Sequence, residues 1–184
     1  RKDIRKQAKL IESLYLDLTH KHKTTTVHLT DKNVFVIKSS SIGYNKTSLT
    51  ELNTNNPKDI PVYTAGKEPV AFIKKLDKKE PLFASDEKTI LSFATNGDGS
   101  AGRNFVIHKT PFYINTDRVA IIARNNDVLP TFLLSQLAGM KKQYGFNHSY
   151  KANRRNLSIV DIAIPIDSYG KFDMQAQEEI ASNY

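Results

Sequence analysis

Cysteine is absent from the chain, which excludes disulfides, thiolate metal sites and a cysteine nucleophile together. No apolar run is long enough to span a bilayer, and the first residues lack the charged, apolar and small-residue succession of a secretion signal. With neither feature present, the interior of a cell is the expected location. Catalytic signatures are scarce as well. Methylation of a flipped base calls for an Asn/Asp-Pro-Pro-aromatic loop, and Asn56-Pro57-Lys58 does not supply it. No nucleophile elbow supports Ser-His-Asp hydrolysis. Metal-dependent nucleases need converging carboxylates with a lysine nearby. Asp77-Lys78-Lys79 and Asp86-Glu87-Lys88 each set an acid two residues before a lysine, but Glu68 is the only acid in the preceding segment. These stretches read as solvated loops. His20, His22, His28, His108 and His148 are scattered, and no metal site is read from them. The expectation is therefore no catalytic residue, no metal and no cofactor.

What the chain does have is concentrated positive charge, +8 overall. Residues 1–23 hold seven Lys/Arg against three acids, and residues 141–155 (KKQYGFNHSYKANRR) hold five and no acid. The remainder is close to neutral. A polyanion surface selects for such concentration, while a solvated face is the plainer reading of the same charges.

Hydrophobic patterning outlines an α+β arrangement, with strands in the middle and helices at the ends. Residues 3–18 read as a helix with Ile4, Ile11, Leu14 and Leu18 along one side. That helix either packs on its own domain or pairs with another helix of a larger assembly. Strand signals follow at 24–29 and 34–37, then an Asn-rich loop over 49–58. Residues 60–63 suggest a short strand that Pro61 confines to an edge or a bulge, and 65–69 a turn. Further strands are expected at 89–94, 104–108, 112–114 and 119–123, and a helix over 129–142 with Pro130 in its first turn. Phe132, Leu133, Leu137 and Met140 form its apolar side. A last strand covers 158–165, and a helix opens after Phe172. Both ends of the chain are expected to continue into a longer polypeptide. The division expected is a flanking helix at 1–23, a globular domain at 24–172, and the start of a second flanking helix at 173–184.

Gly97, Gly99 and Gly102 match the G-x-G-x-x-G spacing of dinucleotide sites, which works when the last glycine opens a helix. Here Arg103-Asn104-Phe105-Val106-Ile107 is strand-like and Asp98 sets a negative charge in the cradle. A glycine-rich connection between two strands is the better reading. Arg103, at its exit, is placed to touch a phosphate.

The segment with functional character is 141–155. Lys141, Lys142, Lys151, Arg154 and Arg155 suit phosphates, while Asn147, His148, Tyr150 and Asn153 can hydrogen-bond base edges or backbone oxygens. Tyr144, Phe146 and Tyr150 interleave with these charges, and Phe146 reads as an anchor to the core. Arg103 and Lys109 complete the candidate set for binding double-stranded DNA. The alternatives are a metal-dependent nuclease or nucleotide-dependent enzyme using Asp77, Asp86 or the glycine loop, and a module whose basic loop meets an acidic protein.

Four blocks in order carry a resemblance: LSFATNGDGSAGR (91–103), PFYINTDRVAII (111–122), YGFNHSYKANRRNLS (144–158), and IAIPI (162–166) with GKFDMQAQEEIA (170–181). Together they resemble the target-recognition domain of type I restriction-modification specificity (S) subunits, and the specificity half of type IIG/BcgI-like single-chain enzymes. Leu91 before Ser92 is a one-residue departure from the family form. The resemblance covers roughly residue 60 to the C-terminus and leaves 24–59 unassigned. It implies an α+β recognition domain, non-catalytic, that reads one half of a bipartite or asymmetric DNA site. Cleavage and methylation would belong to methyltransferase and endonuclease subunits or fused domains, in a prokaryotic cytoplasm. It also implies a long helix that sets spacing and docks the methyltransferase, beginning near Gln175–Ile180.

Overall fold

Thr24–His28 (β1) is β-branched and finds its partner near the far end of the chain. It pairs antiparallel with Asp161–Pro165 (β9), Val27 opposite Ile162. The computed structural model describes residues 2–39 and 42–184, with the side chains of 2, 3 and 15–20 excepted. Leu18 and His20, named above, therefore have side chains outside the described set.

A second sheet has the order Phe35–Ser39 (β2), Arg118–Ala123 (β8), Ile90–Ala94 (β5), Val106–His108 (β6), every pair antiparallel. β5 is flanked on both sides and buried at every residue, which is why it reads as a continuous run instead of an alternation. A third sheet places Ile60–Tyr63 (β3) between Ala71–Ile73 (β4) and Tyr113–Ile114 (β7). Here the expectation from Pro61 needs correction, because β3 is a central strand. Pro61 stands opposite Phe72 of β4, and the parallel ladder to β7 starts only at Val62. The missing N–H thus falls where the strand has a single neighbour.

Helices are Lys2–Lys21 (α1), Lys46–Leu52 (α2), Pro130–Leu137 (α3), Met140–Tyr144 (α4) and Met174–Ser182 (α5). α2 occupies part of the expected Asn-rich loop. Asn45 Oδ1 accepts from Ser48 N at 2.8 Å as its N-cap, and Leu49 is buried. The helix expected over 129–142 divides at Gly139 into α3 and α4. The expected strand at 158–165 starts only at Asp161, because Asn156–Ile159 form a 3-10 turn. β4 was not anticipated; three residues are too few to show a period.

The main core joins β1, β2, β5, β8 and β9 to α3, α4 and α5, with Leu91, Phe93, Phe132, Leu133, Leu137 and Ile164 at its centre. Buried Gln177 ties α5 to the start of α3: its Oε1 accepts from Leu129 N (2.8 Å) and its Nε2 donates to Asp127 O (3.0 Å). Smaller clusters surround Val62 with Ile73 and Tyr113, and Phe112 with Ile114. α1 is different. Ile4 is 70% exposed and Ile11 and Leu14 are each 54% exposed, so these side chains do not pack on the domain. Among the described residues no helix is long and apolar enough to cross a membrane.

Candidate nucleic-acid interface

The glycine cluster is the connection from β5 to β6. Gly97 (φ +98°) and Gly102 (φ +72°) adopt the left-handed backbone that glycine tolerates. No helix follows. Several N–H groups that a pyrophosphate would need are used inside the loop: Ala101 N donates to Gly97 O, Gly102 N to Ala94 O and Arg103 N to Ser100 O. A Cβ at Gly102 would come within 3.1 Å of the Phe146 ring. The close approach that this glycine permits is therefore made by the basic segment. Two further bonds join the segments, Ala152 N to Thr95 O (2.8 Å) and His148 N to Asp98 Oδ1 (3.2 Å).

The basic segment is held from within. α4 stops at Gly145 (φ +75°), where Gly145 N and Phe146 N both donate to Lys141 O. Lys141 Nζ donates back to Phe146 O at 2.7 Å. Phe146 is buried, as expected of an anchor, and its ring stacks on Tyr150 with centroids 5.4 Å apart. Asn147 Oδ1 accepts from Ser149 N and Tyr150 N, and its Nδ2 donates to Gly145 O. Asn153 Oδ1 accepts from Asn156 N at 3.1 Å, opening the 3-10 turn. Four of the candidates, Lys141, Asn147, Tyr150 and Asn153, thus shape the loop. Lys142, His148, Lys151, Arg154 and Arg155 are exposed on it. Arg154 Nη2 donates to Ile37 O at the free edge of β2. Among the described residues none of the five Lys/Arg of this segment pairs with a carboxylate.

Arg103 is exposed at the exit of the glycine loop, beside Lys67. Lys109 is not brought to this surface from the strand pairing: it follows His108, which stands opposite Ile90, so it lies beyond the other end of the β5–β6 hairpin.

One element was not foreseen. Arg118 is 1% exposed, and among the described residues no carboxylate pairs with it. Its guanidinium donates to the carbonyls of Thr64, Gly66 and Asn104 and to Ser92 Oγ (2.8 Å). Ser92 Oγ is also 2.6 Å from His108 Nε2, and the His108 ring lies flat on Phe112 with centroids 3.5 Å apart. Burial, reinforced by the Arg118 charge, pushes the His108 imidazole down to about 3, so it is neutral at pH 7. Burial also lowers Arg118, to about 10, which leaves it charged. The hub fixes the 64–66 turn against the glycine-loop exit, and Asn104 Nδ2 adds a bond to Ala65 O (2.7 Å). The only sequence signal was an arginine opening an apolar strand, which a surface position would satisfy equally well.

Among the described residues no three His, Asp or Glu are grouped to hold a metal. The surface offers cations, backbone-shaped turns and a few polar tips, chemistry that suits anions and hydrogen-bond acceptors.

No family model and no curated protein matches the chain. Solved structures do match. The S subunit of a type I restriction-modification system from M. genitalium superimposes with a TM-score of 0.65 at 16% identity, covering 99% of this chain and 48% of that one. The HsdS subunit from Thermoanaerobacter tengcongensis gives 0.61 at 15% identity, with 98% and 44% covered. A structure from work on complex assembly and conformational transition of the type I R-M system gives 0.59 at 14% identity, with 98% and 46% covered. The chain spans about half the length of each of these proteins. It has an α+β fold shared with type I specificity subunits.

Proposed function

We propose that this chain is a target-recognition domain of a restriction-modification specificity protein, which binds duplex DNA and reads part of a target site. The observation that carries the reading is the junction of the glycine loop with the basic segment: a held loop bearing cations that, among the described residues, no carboxylate neutralises. The fold shared with S subunits supports it. Duplex DNA presents a negative charge about every 1.7 Å along its axis, and cations of this kind bind it without regard to sequence. Lys142, Lys151 and Arg155, with Arg103, contact phosphates. Because the amides of Asn147 and Asn153 hold the loop, base reading falls first to His148 at its tip.

In this reading residues 24–172 form the recognition domain, 1–23 a flanking helix, and 173–184 the first turns of a spacer helix that docks a methyltransferase. Cleavage and methylation are carried by partner subunits or fused domains, in a prokaryotic cytoplasm. The test is fluorescence anisotropy with a random-sequence duplex pool at several salt concentrations. Binding that falls steeply with salt, and a common sequence in the bound pool, is the expected result. No binding even at low salt overturns the proposal.

A further inference from the structure

We infer that the free edge of β2 carries a second phosphate site, built from Lys32, Arg124, Arg154 and Arg155, which extends the DNA contact well beyond the recognition loop. This rests on the DNA-binding reading above and adds to it a surface drawn partly from residues remote in sequence. The four cations line one depression of about 340 Å³ floored by Phe35 and Ile37. Among the described residues no carboxylate lines it and none of the four is ion-paired. Four unit charges gathered over an apolar floor repel one another with less screening than in open water, so the arrangement favours an anion.

Two of the cations are pre-positioned. Arg124 Nε donates to Lys32 O at 2.8 Å, and Arg154 Nη2 donates to Ile37 O. Each guanidinium has five N–H donors, so most remain for a ligand. The hydroxyls of Thr30 and Ser158 stand on the rim as further donors.

The position of the depression indicates an extended anion. At one end of β8, Arg118 pairs with Ala94, next to the glycine loop; at the other, Ala123 pairs with Phe35, next to Arg124. Residues 152–158 run between these ends. Ala152 bonds Thr95, Arg154 bonds Ile37 midway along β2, and Arg155 and Ser158 reach the depression. A six-residue strand is roughly 20 Å long, which matches about six steps of 3.4 Å along one DNA strand. A single small anion would need only one end of this track.

The experiment compares the full chain with its Lys32→Ala/Arg124→Ala double variant by anisotropy on the random duplex pool. Arg124→Ala removes the Nε bond to the exposed Lys32 carbonyl but leaves the backbone bond from Arg124 N to Val34 O, and an unchanged melting temperature verifies that the fold is retained. At about 0.9 per lost phosphate contact, the slope of log K against log salt should become shallower by about 1.8. Affinity should fall for all sequences alike, with the recovered target sequence unchanged, and Lys32→Arg/Arg124→Lys should restore the slope. Full-strength binding with an unaltered slope in the Ala variant would overturn the second site while leaving the DNA-binding proposal standing. Failure of the unmodified chain to bind duplex at low salt would overturn both.

Discussion

Residues 1–23 and residues 141–155 carry similar excesses of positive charge, and the fold treats them in opposite ways. On α1 the charges accompany Ile4, Leu10, Ile11 and Leu14, all more than half exposed, and among the described side chains Lys21 and His22 each lie 3.2–3.3 Å from Glu179. In the basic segment four uncharged side chains hold the backbone: Phe146 in the core, Asn147 and Asn153 on neighbouring N–H groups, Tyr150 on Phe146. Charge density alone cannot separate a binding loop from a solvated helix. The distinction lies in what immobilises the backbone beneath the charges, since an ordered loop binds without first giving up conformational freedom.

The largest expected difference between the two regions is in stability. Phe146→Ala should destabilise by about 3–5 kcal/mol, the usual cost of removing a buried phenylalanine, whereas Ile11→Ala on α1 should stay within about 0.5 kcal/mol. Urea unfolding measures both; a comparable loss for Ile11 would mean that α1 is covered in solution. Binding gives the next contrast. Lys142→Ala/Lys151→Ala should make the salt slope shallower by about 1.8, and Lys6→Ala/Lys9→Ala should leave it unchanged. Equal effects would dissolve the comparison by making α1 part of the proposed DNA surface.

A pH effect probes how closed the core is around the Arg118 hub. His108 has its folded-state value near 3 against an ordinary 6.5. The unfolded chain therefore binds the extra proton first as pH falls, so the contribution is complete above about 6.5 and is lost progressively toward 3. Stability should decline across that window by at most about 1.4 kcal/mol per pH unit from this group. His108→Gln should flatten the decline. An unaltered slope would show that the imidazole takes up protons in the folded chain.

The sequence exposed the strands with strong apolar or β-branched content, and the two segments that meet at the candidate interface. It was least informative where a local bond overrode composition. Asn45 capping Ser48 turned polar residues into α2, and Gly139 divided one periodic stretch into two helices. Tertiary placement was harder still. Pro61 suggested an edge or a bulge, but registers end before strands do, and a central strand accommodates a proline beyond the last rung of one ladder. At the interface, reading side chains as free ligands assigned Lys141, Asn147 and Asn153 outward roles, although short polar side chains near turns are also the ones best able to satisfy local backbone. Lys32 and Arg124 are single cations in unremarkable surroundings. Only the pairing of β2 with β8 brings them together.

The Arg118 hub bears on how freely side chains around it can vary. Three of its four acceptors are main-chain carbonyls, of Thr64, Gly66 and Asn104. A clamp on peptide oxygens is indifferent to the side chain at a position such as 64. New side chains there inherit the same path through space, so the surface can acquire a different chemical vocabulary without rebuilding the scaffold that presents it.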